Sequence, residues 1–174
     1  TEVTGDIPTK DQVNAMSSKQ IVENIKVGWN LGNSLDSHDT NSSDTETGWG
    51  NPKTTQQMID TVKAAGFNAV RIPVTWGEHM SADGTIDAAW MSRVKEVVDY
   101  AYNDGLYVIL NVHHDDALWL VPTKDKLESD KATLTTIWKQ ICATFQDYDH
   151  RLIFEGMNEP RVIGSAEAWT GGTQ

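Results

Sequence analysis

A glutamate set between asparagine and proline follows a short apolar run in the last part of this sequence. Residues 152–161 read Leu-Ile-Phe-Glu-Gly-Met-Asn-Glu-Pro-Arg. The first four suit a short, largely buried strand, and the triplet Asn158-Glu159-Pro160 falls where that strand should end. Pro160 has no N–H to give to a sheet ladder, so it helps to stop the strand directly after Glu159. A carboxyl group at the C-terminal mouth of a parallel sheet stands where such folds carry their chemistry. An ordinary strand-to-loop turn also favours Asn and Pro, and the triplet alone leaves both readings open.

Three further segments precede it. They are Gly28-Trp29-Asn30-Leu31-Gly32-Asn33-Ser34-Leu35-Asp36, Asn68-Ala69-Val70-Arg71-Ile72-Pro73-Val74 and Val108-Ile109-Leu110-Asn111-Val112-His113-His114-Asp115. In this order, and ending in Asn158-Glu159-Pro160, they closely resemble glycoside hydrolase family 5. The nearest match is its bacterial endo-β-1,4-glucanase (cellulase) branch, whose relatives also cleave mixed-linkage glucans and xyloglucan. The resemblance runs from about residue 25 to residue 174.

What the resemblance implies is a retaining endo-glycosidase on a (β/α)₈ TIM barrel. Retaining enzymes use two carboxyl groups about 5–5.5 Å apart, one as nucleophile and one as acid/base. Glu159 matches the family's acid/base. Asn158 resembles the asparagine that hydrogen-bonds the sugar 2-hydroxyl, and Arg71 the arginine that holds the nucleophile ionised. A guanidinium suits that task because it stays charged and grips a carboxylate with two parallel bonds. A structural ion pair with Glu155 is an alternative, or additional, role for Arg71. The position of His113 supports the nucleophile in the family, and that of His114 contacts sugar. Asn33 and Asp36 match positions lining the non-reducing-side subsites, although a polar turn would also place Asp there. The family's nucleophile is a glutamate on the seventh strand, and no residue here corresponds to it.

No metal or other cofactor is expected. Adjacent residues on a strand point to opposite faces, so His113 and His114 are poorly placed to share an ion there. Near a strand end, where the chain turns, both can still reach a groove. His38, His79 and His150 default to surface or packing roles. Among seven tryptophans, Trp90 and Trp138 fall on core stripes and Trp76, just past the second strand, is the candidate for stacking on sugar. Trp29, Trp49, Trp119 and Trp169 are undecided.

The elements that must position these groups alternate. A helix is expected over 11–27, with Val13, Met16, Ile21, Val22 and Ile25 buried, closing the bottom of a barrel. Strands are expected over 27–33, 67–74, 106–112 and 152–155. Between them run helical stripes at Met58, Ile59, Val62 and Ala65, at Trp90, Met91, Val94, Val97, Val98 and Ala101, and at Leu134, Ile137, Trp138, Ile141 and Phe145. Thr54 or Thr55 caps the first stripe, and Gly66 and Gly105 end the first two. Residues 34–51 form a polar loop, long enough to suggest a functional one. Such alternation gives right-handed βαβ units and a parallel sheet.

A complete barrel takes about 250 residues, against 174 here. The expected fold is therefore α/β, the N-terminal half of a (β/α)₈ barrel with about four βα units, as one domain over 1–174. The C-terminal half, with the nucleophile, is an expected partner. Without it the chain is expected to be inactive and to have open strand edges prone to association.

Composition agrees with a soluble domain: 39% hydrophobic and 22% charged residues. There is no apolar run long enough to span a membrane and no leader at the start. The net charge of −11, from 25 acidic and 14 basic residues, disfavours nucleic acid and anionic membrane as partners. A neutral β-glucan feels no such steering. The resemblance implies a secreted, extracellular enzyme, which a mature form without its leader allows. Cys142 reads as a small core residue on a helix. Asn41-Ser42-Ser43 fits a glycosylation pattern that is common by chance. Within the family a β-mannanase is the nearest rival reading, and a non-catalytic, carbohydrate-binding half-barrel is the rival from another class.

Overall fold

The structure, a computed structural model, describes residues 7–40 and 44–162. Four parallel strands lie side by side in chain order: β1 (Gly28–Asn30), β2 (Ala69–Ile72), β3 (Tyr107–Asn111) and β4 (Leu152–Glu155). Pairing in register places Asn30 beside Arg71, Arg71 beside Ile109, and Asn111 beside Glu155. β4 has its predicted bounds, while β1, β2 and β3 are shorter than the runs predicted, because only part of each run pairs on the ladder.

Helices α3 (Gln56–Ala64), α4 (Ala88–Asn103) and α5 (Leu127–Phe145) connect successive strands. Thr55 caps α3 by accepting from the Met58 N–H. Gly66 and Gly105 follow α3 and α4 at φ +98° and +80°, a left-handed geometry that glycine enters without a Cβ clash. Strand residues alternate between two faces. Val70, Ile72, Val108 and Leu110 pack with Ile59, Val94, Val97, Val98, Ile137 and Ile141 of the helices in one core. The opposite face carries Arg71, Asn111 and Glu155.

The predicted N-terminal helix is two helices, α1 (Lys10–Asn14) and α2 (Ser18–Asn24). Ser17 breaks the run because its hydroxyl accepts from the Gln20 N–H while Gln20 reaches back to its own N–H, a capping box. Val13 and Ile21 then pack on Ala69 and Tyr107, the first residues of β2 and β3, and so close the sheet's N-terminal end as expected.

Other expectations fail. Val22 and Ala65 are exposed, each lying off the buried stripe of its helix. Cys142 is also exposed; it follows the buried Ile141 and is turned about 100° from it. Phe154 is exposed although it faces the helices, since β4 is the last strand of the described sheet. Asn41-Ser42-Ser43, Trp169 and residues 171–174 lie outside the described residues. No helix among the described residues is long and apolar enough to cross a membrane.

Candidate active site

All four motifs meet at the C-terminal ends of the strands. At their centre Arg71, on β2, is gripped by Glu155 on β4, with Nε and Nη2 donating to Oε2 and Oε1 at 2.7 and 2.6 Å. The same guanidinium donates to Asn30 Oδ1 on β1 (3.2 Å) and to Asn158 Oδ1 (3.0 Å). One arginine thus ties three strand ends together. The hydrogen bonds from Arg71 hold the Glu155 carboxyl below the ordinary glutamate range, outweighing its partial burial. With its oxygen committed to Arg71, the Asn158 amide is left with its N–H₂ as the free end, a donor for a hydroxyl oxygen.

The Asn158 N–H donates to the Val112 carbonyl (2.8 Å). Glu159 then turns into the left-handed region at φ +34°, an unusual conformation for a glutamate and one associated with functional sites. Its side chain is 57% exposed, and Oε2 meets Arg161 Nη1. The carboxyl stands at the open rim, reachable by a ligand.

After Asn111 the strand alternation stops. His113 takes φ −105° and ψ −88°, and its ring meets the His114 ring edge-on at 4.4 Å between centroids. Both rings converge on Asp36: its Oδ2 lies 4.0 Å from His113 Nε2 and 3.6 Å from His114 Nε2. Asp36 is buried, with Oδ1 accepting from the Ser34 N–H and its carbonyl accepting from the Thr75 hydroxyl. Asn33 supplies the left-handed turn (φ 59°) that aims Asp36 inward, and is itself exposed. Of these two positions, the turn is Asn33 and the inward acid is Asp36.

Burial, reinforced by the positive charge that His114 and Arg71 would set beside it, pushes His113 down to about 4; Asp36 opposes this without cancelling it. Burial lowers His114 as well. A histidine depressed in the folded state binds its proton more readily when unfolded, so stability is complete above the unfolded value of 6.5 and is lost as pH falls through the folded value. Between those limits His113 should cost on the order of 3 kcal/mol. Urea unfolding followed across that range should show the fall, and a flat profile would contradict it.

Trp76 is not in the groove. It is fully buried in the core, with Nε1 donating to the Asn111 carbonyl at 3.0 Å. Trp49 is the better-placed aromatic: 40% exposed, its ring lies 5.1 Å from His38 and 5.5 Å from His114, and its Nε1 donates to the His38 carbonyl. His38 therefore belongs beside the site and not to an anonymous surface. His79 does pack, stacked on Trp90 at 3.7 Å.

Two acids that the sequence reading left without roles hold the rim loops. Asp115 accepts from the Trp76 and Gly77 N–H groups and from Trp119 Nε1. Burial pushes its carboxyl up to about 6, against those three donors. Glu46 is buried in the loop after β1 and accepts from Arg93 Nε and Nη2 and from the Thr54 N–H.

This geometry meets close relatives. The model of the family described as Cellulase (glycosyl hydrolase family 5) matches residues 34–173. The chain belongs to glycoside hydrolase family 5. Among family 5 relatives, Endoglucanase A of Ruminococcus albus is 47% identical over 173 residues, which is 98% of this chain and 47% of that protein. A broad-specificity endoglucanase of Ruminococcus champanellensis with bound cellotriose superimposes with a TM-score of 0.87 at 47% identity, over 93% of this chain and 49% of that one. XEG5A, a xyloglucan-specific endo-β-1,4-glucanase in complex with cellotriose, gives 0.84 at 51% identity, over 95% and 48%. The chain thus spans about half the length of these family 5 proteins, and the four parallel strands and three connecting helices of its described residues have the architecture of the first half of a (β/α)₈ barrel.

Proposed function

We propose that this chain supplies the acid/base half of a retaining endo-β-1,4-glucanase site. The observation that carries the proposal is the strand-end cluster in which Arg71 orients Asn158 and leaves Glu159 open at the rim. Glu159 is the acid/base, Asn158 the donor to the sugar 2-hydroxyl, and Arg71 and His113 the groups that face the second carboxylate. His114 and Asp36 line the sugar subsites, with Trp49 in the stacking role first given to Trp76. Membership of family 5 and the endoglucanase relatives support this assignment. The substrate is a β-1,4-glucan, whether cellulosic, mixed-linkage or xyloglucan, as the names of the relatives suggest. A polymeric substrate also favours a secreted enzyme.

On this reading residues 1–174 form half of one barrel domain, and the nucleophile comes from a C-terminal half, in the same or a separate chain. The complete protein should release reducing ends from carboxymethylcellulose, mixed-linkage glucan or xyloglucan, with the β-anomer appearing first by NMR. Residues 1–174 alone should release none. Hydrolysis of mannan only would establish the mannanase reading. Binding without hydrolysis by the complete protein would establish the non-catalytic one.

A further inference from the structure

Asn111 ends β3, fully buried, and both ends of its carboxamide are assigned by partners that have no choice of role. Its Oδ1 accepts from the Val74 backbone N–H at 3.2 Å, a group that can only donate. Its Nδ2 donates to Glu155 Oε1 at 3.0 Å, a carboxylate that Arg71 keeps ionised and therefore only accepts. The remaining Nδ2 hydrogen is directed at His113 Nδ1, 3.0 Å away. A donor facing Nδ1 requires a lone pair there, and a neutral imidazole then carries its single hydrogen on Nε2.

We infer that Asn111 is a positioning residue that fixes His113 as the Nε2–H tautomer, so that the ring offers a hydrogen-bond donor to an oxygen on the groove side and withholds Nε2 from metal ions. The use of that donor in catalysis rests on the glucanase reading; the tautomer itself does not.

The same tautomer bears on metal binding. Asp36, His113 and His114 offer ligand atoms that all lie within 4.8 Å of one another, a spacing that invites a divalent ion. A metal-ligating histidine normally donates its other ring N–H to a carboxylate or carbonyl. His113 has a donor in that place, so the trio lacks the arrangement a metal needs. Asn111→Asp combined with Glu155→Gln would supply it. Asp keeps an oxygen for Val74 and presents another to His113, drawing the hydrogen to Nδ1 and freeing Nε2, while Gln at 155 offers an N–H₂ where Glu155 would set a second carboxylate 3.0 Å away.

The test is long-range ¹H–¹⁵N correlation of the histidine rings in the complete, ¹⁵N-labelled protein near pH 7. His113 should show a protonated Nε2 and a bare Nδ1. The reverse pattern would overturn the inference, and this arm needs no variant. In Asn111→Asp/Glu155→Gln the pattern should invert, and Zn²⁺ measured by calorimetry should bind about 10–100-fold more tightly than to the unaltered protein. That gain should vanish when Asp36→Asn is added. An unchanged tautomer in a folded Asn111→Asp/Glu155→Gln protein would also overturn the inference. The spectrum involves no turnover: a protein with the expected tautomer that hydrolyses no glucan would leave this inference standing and remove the glucanase reading.

Discussion

On the glucanase reading, Glu159→Gln in the complete protein is expected to lower hydrolysis of unactivated β-glucan by about 10²–10⁴-fold, the usual contribution of a general acid. Glutamine keeps the shape of the side chain and can still accept from Arg161, so the left-handed turn at Glu159 and the Arg71–Asn158 bond should survive. What it cannot do is hand a proton to the leaving glycosidic oxygen or take one from the incoming water. The two losses separate. An aryl glycoside with an activated leaving group needs little protonation, so formation of its glycosyl-enzyme should be nearly normal and only the second step slow. A burst of released phenol followed by slow turnover is the expected trace. The melting temperature should hardly move, because the carboxyl is more than half exposed and lies outside the core. Near-normal cleavage of glucan by the glutamine variant would remove Glu159 from the acid/base role.

The regular part of this structure was legible because periodicity reports burial. Ile137, Ile141 and Phe145 recur at helical spacing and are buried, and Val70, Ile72, Val108 and Leu110 alternate as strands between core and barrel face should. The Arg71–Glu155 pair could be anticipated for the same reason, since both residues sit on the polar face of predicted strands. Trp76 and Trp49 take their environment from chain segments remote in sequence. Trp76 reads as a rim aromatic until the Asn111 carbonyl, 35 residues on, takes its indole N–H. Trp49 lies in a loop without periodicity, and only the arrival of His38 and His114 places it beside the strand-end cluster. Ser17 carried a readable signal, a capping box with Gln20 inside an apparently continuous helix. The tautomer of His113 needed three dimensions, because the Val74 N–H and the Glu155 carboxylate orient the Asn111 amide from two other strand ends.

The same distance between sequence and structure hides the support for the groove wall, and the stability prediction follows from it. Glu46 is 1% exposed and meets Arg93 of α4 through a two-bond fork at 2.8 and 2.9 Å, while Arg93 also donates to the Thr54 carbonyl and to Glu96. Burial alone would raise the Glu46 carboxyl; the hydrogen bonds from Arg93 and Thr54 win and hold it below the ordinary value. Removing one partner of a buried pair typically costs about 3–5 kcal/mol. Glu46→Ala should fall near the low end, about 3 kcal/mol, because Glu96 and Thr54 still hold the guanidinium. Gln would keep the Thr54 bond and cost less. The sign with pH follows from the lowered carboxyl: its contribution is whole above the unfolded value of 4.5 and is lost as pH falls through the folded value. The variant should therefore differ most from the parent at neutral pH and converge on it in acid. The turn Thr45–Thr47 that carries Glu46 leads directly to Trp49. On the glucanase reading, loosening it should raise the complete protein's KM for long glucans more than it lowers kcat, since Trp49 is assigned to stacking on sugar and not to proton transfer. A Glu46→Ala protein as stable as its parent at pH 7 would show that α4 does not hold this loop in place.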